Sequence, residues 1–189
     1  MNISLLVLRL VPGLLFMGHG LQKLVPARLS PPLLSAHGPS ATAAAFEQMG
    51  LGPGLPLALL AGAAELGGGF LLASGLVTPL GTALVAAVMT VAILVVHLRK
   101  GIWAAAGGFE FPLLMLTGAY AVSALGPGSL SIDAWAGIGN WTAIHWVAAD
   151  AVRSGAAVGV GATAALLLLG ALLLRRLARH GGQALSPAH

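Results

Sequence analysis

Residues 55–98 read LPLALLAGAAELGGGFLLASGLVTPLGTALVAAVMTVAILVVHL. Two runs of mostly apolar residues, Leu55 to Leu76 and Pro79 to Leu98, each have the roughly 20 residues that a helix needs to cross the hydrocarbon core of a bilayer. The connection from Ser74 to Thr78 leaves room only for a tight turn, so the two runs form an antiparallel pair of neighbours. This stretch is a membrane hairpin, and the composition of the whole chain agrees with it. Of the 189 residues, 58% are hydrophobic and only 7% charged, with a mean hydropathy of +0.95, where a soluble domain carries about 25% charged residues. So few charges cannot cover a water-soluble globule, which excludes the packed soluble-enzyme folds. The absence of cysteine removes disulfides, thiolate nucleophiles, CxxC pairs, c-type haem attachment and cysteine-held iron–sulfur clusters.

Working outward, three more apolar runs complete the pattern: Ile3 to Val25, Phe111 to Leu125 and Gly155 to Leu174. The expected fold is all-α, a polytopic membrane protein with a four-helix transmembrane bundle plus a fifth C-terminal transmembrane helix. Residues 1–135 form the four-helix domain, and residues 136–189 an interfacial loop, the additional helix and a basic tail. The first run is read as a retained span and not a signal peptide, because Arg9 and His19 interrupt it and no small-residue cleavage site follows. Pro26 to Pro53 is a polar connection with one short helix, Thr42 to Met49, along the membrane surface. The fifth run has only Thr163 as a polar side chain and reads as an appendage to the bundle.

The net charge of +4 comes from nine Lys and Arg against five Asp and Glu. In a soluble protein that excess would suggest nucleic acid; here the basic residues stand at the ends of apolar runs and report topology instead. Lys23 and Arg28, Arg99 and Lys100, and Arg175, Arg176 and Arg179 follow the first, third and fifth runs. All three groups fall on one side, which the charge rule assigns to the cytoplasm together with the C-terminus. The loop Gly126 to Arg153, with Trp135, Trp141 and Trp146, then faces out.

Polar residues inside the spans carry the functional expectation. Glu65 lies ten residues into its run, about 15 Å down a helix rising 1.5 Å per residue, and must be paired, protonated or turned toward a polar cavity. A structural carboxyl bonded to the next helix is the plainer alternative. His19, Gln22 and Lys23 stand at i, i+3 and i+4 on one helical face, and Arg9 points to the same side at greater depth. Lys23 by itself could simply reach the interface. His97 ends the third run and Glu110 opens the fourth, where an acid also suits the helix dipole. Connectivity puts His19, Gln22, Lys23, His97 and Glu110 in one leaflet with Glu65 below them, and Glu65 is expected to couple to Arg9 and His19.

These motifs resemble the DoxX family of small bacterial integral membrane proteins. The matching residues are Leu8-Arg9-Leu10, Gly13 and Phe16 through His19-Gly20-Leu21-Gln22-Lys23-Leu24; Thr42-Ala43-Ala44-Ala45-Phe46 with Gly50-Leu51-Gly52-Pro53; and Leu60-Ala61-Gly62 with Ala64-Glu65-Leu66-Gly67-Gly68. His97-Leu98 with Gly101, Gly107-Gly108-Phe109-Glu110-Phe111-Pro112-Leu113-Leu114, and Gly126-Pro127-Gly128 with Ile132-Asp133 extend the likeness over about residues 3–135. The chain departs from the family pattern at Arg99-Lys100, where Pro-Asn is usual, and at Phe109, where Tyr is common. The resemblance implies a four-helix bundle with an inward-facing polar cluster, and an association with quinone-linked oxidation or with membrane complexes of oxidant and thiol stress.

The expected function is a membrane subunit of a quinone-linked oxidoreductase in the bacterial inner membrane. Glu65, His19, His97 and Glu110 are the candidate catalytic residues, and Arg9, Gln22 and Lys23 the candidate ligand-binding residues. Reducing a quinone takes up two protons, which His and Glu can hold at environment-tuned pKa values. No cofactor is intrinsic, no metal site is expected, quinone is the candidate ligand, and a haem held between His19 and His97 is the less favoured option. Partners are the lipid bilayer, a soluble or membrane oxidoreductase subunit, and further copies of the chain, with no nucleic acid. Two alternatives stay open. One is a proton-coupled carrier using Glu65, against which no inverted repeat is visible; the other is a non-catalytic scaffold that recruits a soluble enzyme.

Overall fold

The computed structural model describes residues 2–137, 159–165 and 168–172; Trp141, Trp146, Arg153 and the arginine tail lie outside them. Every regular element in the described residues is helical: α1 (Asn2–Leu24), α2 (Gly38–Gln48), α3 (Gly54–Ser74), α4 (Thr78–Val91), α5 (Glu110–Leu125) and the short α6 (Ile132–Trp135). A further apolar helix, α7, spans Gly159–Leu172. Asn2–Leu24, Gly54–Ser74 and Thr78–Lys100 are long and apolar enough to cross a membrane, and Glu110–Leu125 and Gly159–Leu172 are shorter apolar helices. Pro12 sits inside α1 without ending it, as proline can where neighbouring helices support the freed backbone.

The hairpin of α3 and α4 is sharp because two consecutive helix ends are fixed in it. Gly75 adopts φ +65°, and its N–H and that of Leu76 bond to the Leu71 carbonyl at 3.0 and 3.2 Å, closing α3 with a left-handed glycine cap. Val77 follows at φ +44°, a costly angle for a β-branched residue. The buried Asp133 carboxylate supports it, accepting from Val77 N at 2.8 Å, Thr78 N at 3.0 Å and Thr78 Oγ1 at 2.8 Å. A carboxylate on the free N–H groups of a helix start is the favourable arrangement. α6 thereby pins the α5–α6 connection onto the start of α4.

Helices α1 and α3 run antiparallel with backbones in near contact. A Cβ at Gly20 would stand 2.5 Å from Leu66 N, and one at Gly69 2.5 Å from Gly13 O and 2.7 Å from Met17 N, so only glycine permits this approach. Phe16, Leu72, Val85, Met89, Met115 and Val122 form the core among α1, α3, α4 and α5. The connection before α3 is less peripheral than expected of a surface helix: Thr42 and Ala43 of α2 are buried, and the Glu47 carboxylate accepts from Gly54 N at 3.1 Å. The C-terminal helix, expected as an appendage to the bundle, packs on α4 within the described residues. A Cβ at Gly161 would overlap the Ala83 carbonyl of α4, and Ala165 is 3% exposed.

The depth assigned to Glu65 needs correction. The pairings of Gly20 with Leu66 and Gly13 with Ala73 make Leu21 level with Glu65 and Val25 level with Ala61. Leu55 therefore stands about 9 Å above Val25, at 1.5 Å per residue. Glu65 is only about 6 Å below Val25, and Arg9 is about 18 Å further along. The pairing of Glu65 with Arg9 is overturned because the two helices are offset by nearly two turns.

Candidate functional site

α1 brings His19 and Lys23 to the cavity, the middle of α3 brings Glu65, and the segment that continues α4 brings His97. Beyond Val91 the helix continues as a π-helical segment over Ala92–His97, followed by a 3-10 turn at Leu98–Lys100; π segments are frequent at functional sites. These four polar residues line a cavity of about 440 Å³ whose remaining walls are apolar, including Phe16, Val88, Val95 and Leu169.

Glu65 pairs with Lys23, Nζ to Oε2 2.6 Å, with side chains 6% and 19% exposed respectively. Lys23 Nζ also donates to the His19 carbonyl at 3.4 Å. The ion pair answers the need of a membrane carboxylate for a partner; it leaves Lys23, in the last turn of α1, a route to the helix end.

Hydrogen bonding fixes the tautomer of both histidines. Gln22 Nε2 donates to the Leu34 carbonyl at 2.9 Å, which leaves Gln22 Oε1 as the acceptor 3.1 Å from His19 Nδ1. His19 Nδ1 therefore carries a proton, and in the neutral ring Nε2 is the open acceptor. His97 Nδ1 stands 2.7 Å from the Gly107 carbonyl, and the same reasoning leaves its Nε2 open. The His19 ring is tilted 59° against Phe111 at 5.7 Å between centroids. Gln22 thus acts through His19 and the connection around Leu34, and does not itself line the cavity. That connection also carries His37, whose N–H donates to the Gln22 backbone carbonyl at 3.0 Å. Burial first, and the Lys23 ammonium second, hold the His37 imidazole below its ordinary value of 6.5.

Two of the expected site residues stand apart. Glu110 accepts from Ala104 N at 2.8 Å while its own N–H donates to Ile102 O at 2.8 Å; it ties down the 101–110 connection, the helix-start role noted as the alternative. Arg9 is fully buried at the opposite end, where its guanidinium donates to the carbonyls of Ala73 and Leu130 and packs against Gly75, at which a Cβ would overlap Nη1. Thr90 returns its hydroxyl to Ala86 O at 2.7 Å. Sequence reasoning missed Asp133 as the anchor of the α3–α4 turn and Phe111 as the neighbour of His19. The signal for Asp133 was a lone acid two residues after Ser131, which caps α6. Among the described residues, no group of three or more His, Cys, Asp or Glu side chains could hold a metal ion.

Long apolar helices, a buried ion pair and a largely apolar cavity define a multi-pass helical membrane protein. Its sequence matches the DoxX family over residues 4–98, half of the chain, and it belongs to that family. The matched region contains Arg9, His19, Gln22, Lys23, Glu65 and His97, and ends before Glu110. No protein of curated function and no solved structure matches the chain significantly.

Proposed function

We propose that this DoxX-family chain is the membrane subunit of a quinone-linked oxidoreductase or of a related redox and stress complex. The supporting observation is the cavity, whose otherwise apolar lining includes Lys23, Glu65, His19 and His97. An amphiphile with ring oxygens and an apolar tail fits that set: the Lys23 ammonium donates to a quinone oxygen, the imidazole Nε2 atoms, acceptors in the neutral ring, take the hydroxyl protons of the reduced form, and hydrocarbon faces the tail. A bound quinone supplies the two-electron redox chemistry at its ring. The chain's own residues bind and orient the head, exclude water from it, and hold protons at His19 Nε2 and His97 Nε2. Glu65 keeps Lys23 charged and in place. Electrons come from a partner oxidoreductase subunit.

In this reading, residues 1–135 form a four-helix transmembrane domain in the bacterial inner membrane, and residues 136–189 add the fifth span and a cytoplasmic basic tail. Purification in mild detergent followed by mass spectrometry of the extract tests the ligand. Near-stoichiometric quinone in the wild type, lost in His97→Leu, is the expected result. Phospholipid alone in both preparations refutes the quinone assignment.

A further inference from the structure

Of the chain's five acidic residues, all but Asp150 lie among the described residues, and each of these is already engaged. Glu65 pairs with Lys23, Asp133 accepts from Val77 N and Thr78 N, Glu47 accepts from Gly54 N, and Glu110 accepts from Ala104 N. The exposed bases Arg28, Arg99 and Lys100 therefore have no carboxylate partner among the described residues. They also share one end of the molecule. α1 and α4 both run antiparallel to α3, so Arg28, just beyond α1, and Arg99 and Lys100, just beyond the π-helical continuation of α4, emerge on the same side. At the opposite end Arg9 and Asp133 are fully buried.

The segment that carries Arg99 and Lys100 is closed on itself. The apolar span Thr78–Lys100 stops there, Gly101 turns the chain at φ +81°, and Phe109 N and Glu110 N donate to the Gly101 and Ile102 carbonyls at 3.1 and 2.8 Å. Gly108 N donates to Trp103 O at 2.9 Å. This fold-back holds Leu98, Ile102 and Trp103 outward beside the two bases, with Trp103 70% exposed. Arg28 has similar company in Leu29 and in Leu33, which is 99% exposed. Large apolar side chains held out beside cations suit neither bulk water nor pure hydrocarbon. They suit the headgroup layer, where Trp is enriched and basic side chains reach polar groups along their apolar stems.

We propose that the loop 98–106 is a binding surface for anionic phospholipid: Arg99 and Lys100 donate to the headgroup phosphate, and Ile102 and Trp103 lie against the upper acyl carbons. An acidic protein surface would answer the charges and leave Trp103 without an apolar neighbour, whereas a lipid supplies both. The surface is separate from the cavity and does not depend on what the cavity holds.

The test uses the full chain with Trp135→Phe, Trp141→Phe and Trp146→Phe, which leaves Trp103 as the reporter. It is reconstituted in phosphatidylcholine vesicles containing the same small share of either phosphatidylcholine or phosphatidylglycerol brominated high in the acyl chains. Both brominated lipids are expected to quench Trp103, the phosphatidylglycerol more strongly. One base near an anionic surface is worth about fivefold in local lipid concentration, so Arg99→Gln with Lys100→Gln should cut the enrichment of phosphatidylglycerol at Trp103 by at least about that factor. Quenching by brominated phosphatidylcholine should stay as it was, and added salt should weaken the preference of the unsubstituted loop. Native mass spectrometry of the wild type, titrated with the two unbrominated lipids, makes the same comparison with every tryptophan in place: phosphatidylglycerol should be retained, and its retention lost in the double variant. If neither lipid quenches Trp103, the loop stands in water and the proposal is overturned. Equal quenching or equal retention of the two lipids, or a preference that survives the double variant, overturns it as well.

Discussion

The Lys23–Glu65 pair gives a prediction whose sign depends on geometry. At 2.6 Å, and with an effective dielectric constant of about 20, the gross attraction is about 6 kcal/mol. Desolvation costs several kcal/mol per ion, so the pair nets little, and the informative quantity is what a lone survivor costs. The two survivors are not equivalent. Lys23 stands one residue from the end of α1 with 19% of its side chain exposed, while Glu65 is 6% exposed in mid-helix. After Glu65→Gln the ammonium swings to the interface, a cost of about 1 kcal/mol. After Lys23→Met the carboxylate stays where it is, unpaired, at about 3 kcal/mol or more. The double variant should resemble Glu65→Gln alone. Melting in detergent by fluorescence-detected size exclusion reads the order; at about 2–4 °C per kcal/mol for a chain of this size, Lys23→Met should lose about 6–12 °C. Additive losses, or a larger loss in Glu65→Gln than in Lys23→Met, would refute the reasoning.

Gly20→Ala should destabilise by about 1–3 kcal/mol through overpacking against Leu66, whereas Gly18→Ala, with nothing within 4 Å of the added carbon, should gain up to about 1 kcal/mol; equal melting temperatures would dissolve the contrast. Asp133→Ala removes the acceptor of Val77 N and Thr78 N and should cost about 2–4 kcal/mol, with Asp133→Asn recovering part, as measured by thermal denaturation. Because His37 is held below 6.5, the unfolded chain binds the proton more readily, so its contribution is complete above that pH and declines as pH falls through it. A wild-type melting temperature that rises on acidification relative to His37→Gln would contradict this. A cysteine replacing Ser129 should react with an impermeant maleimide on intact cells; labelling only after lysis would reverse the orientation.

Much of the fold was legible because hydropathy and turn length are local. Residues 55–98 announced the α3–α4 hairpin, and the i, i+3, i+4 spacing put His19, Gln22 and Lys23 on one face. Connectivity then placed His19, Lys23 and His97 in one leaflet with Glu65 below them, and all four line one cavity. The offset of α1 against α3 could not be read, since it depends on where Gly13 and Gly20 meet Gly69 and Leu66, and counting from the span ends supplied a wrong partner for Glu65. Asp133 escaped for a related reason: its ligands, the N–H groups of Val77 and Thr78, are backbone atoms with no signature in sequence. The packing of α7 on α4 was hidden because Gly161 and Ala165 look like any small residues in a membrane run until the Ala83 carbonyl is set against them.

The way the two histidines are held limits what each ring can do with a proton. An imidazole conducts by taking a proton on one nitrogen and releasing another from the opposite one, so it serves as a wire only where something basic waits on the far side. Behind His97 waits the Gly107 carbonyl, and behind His19 the Gln22 amide oxygen, neither of which accepts a proton outright near neutral pH. Both rings are therefore terminals. Each neutral ring keeps one nitrogen, Nε2, for exchange, so a proton and any hydrogen-bonding partner compete for the same atom.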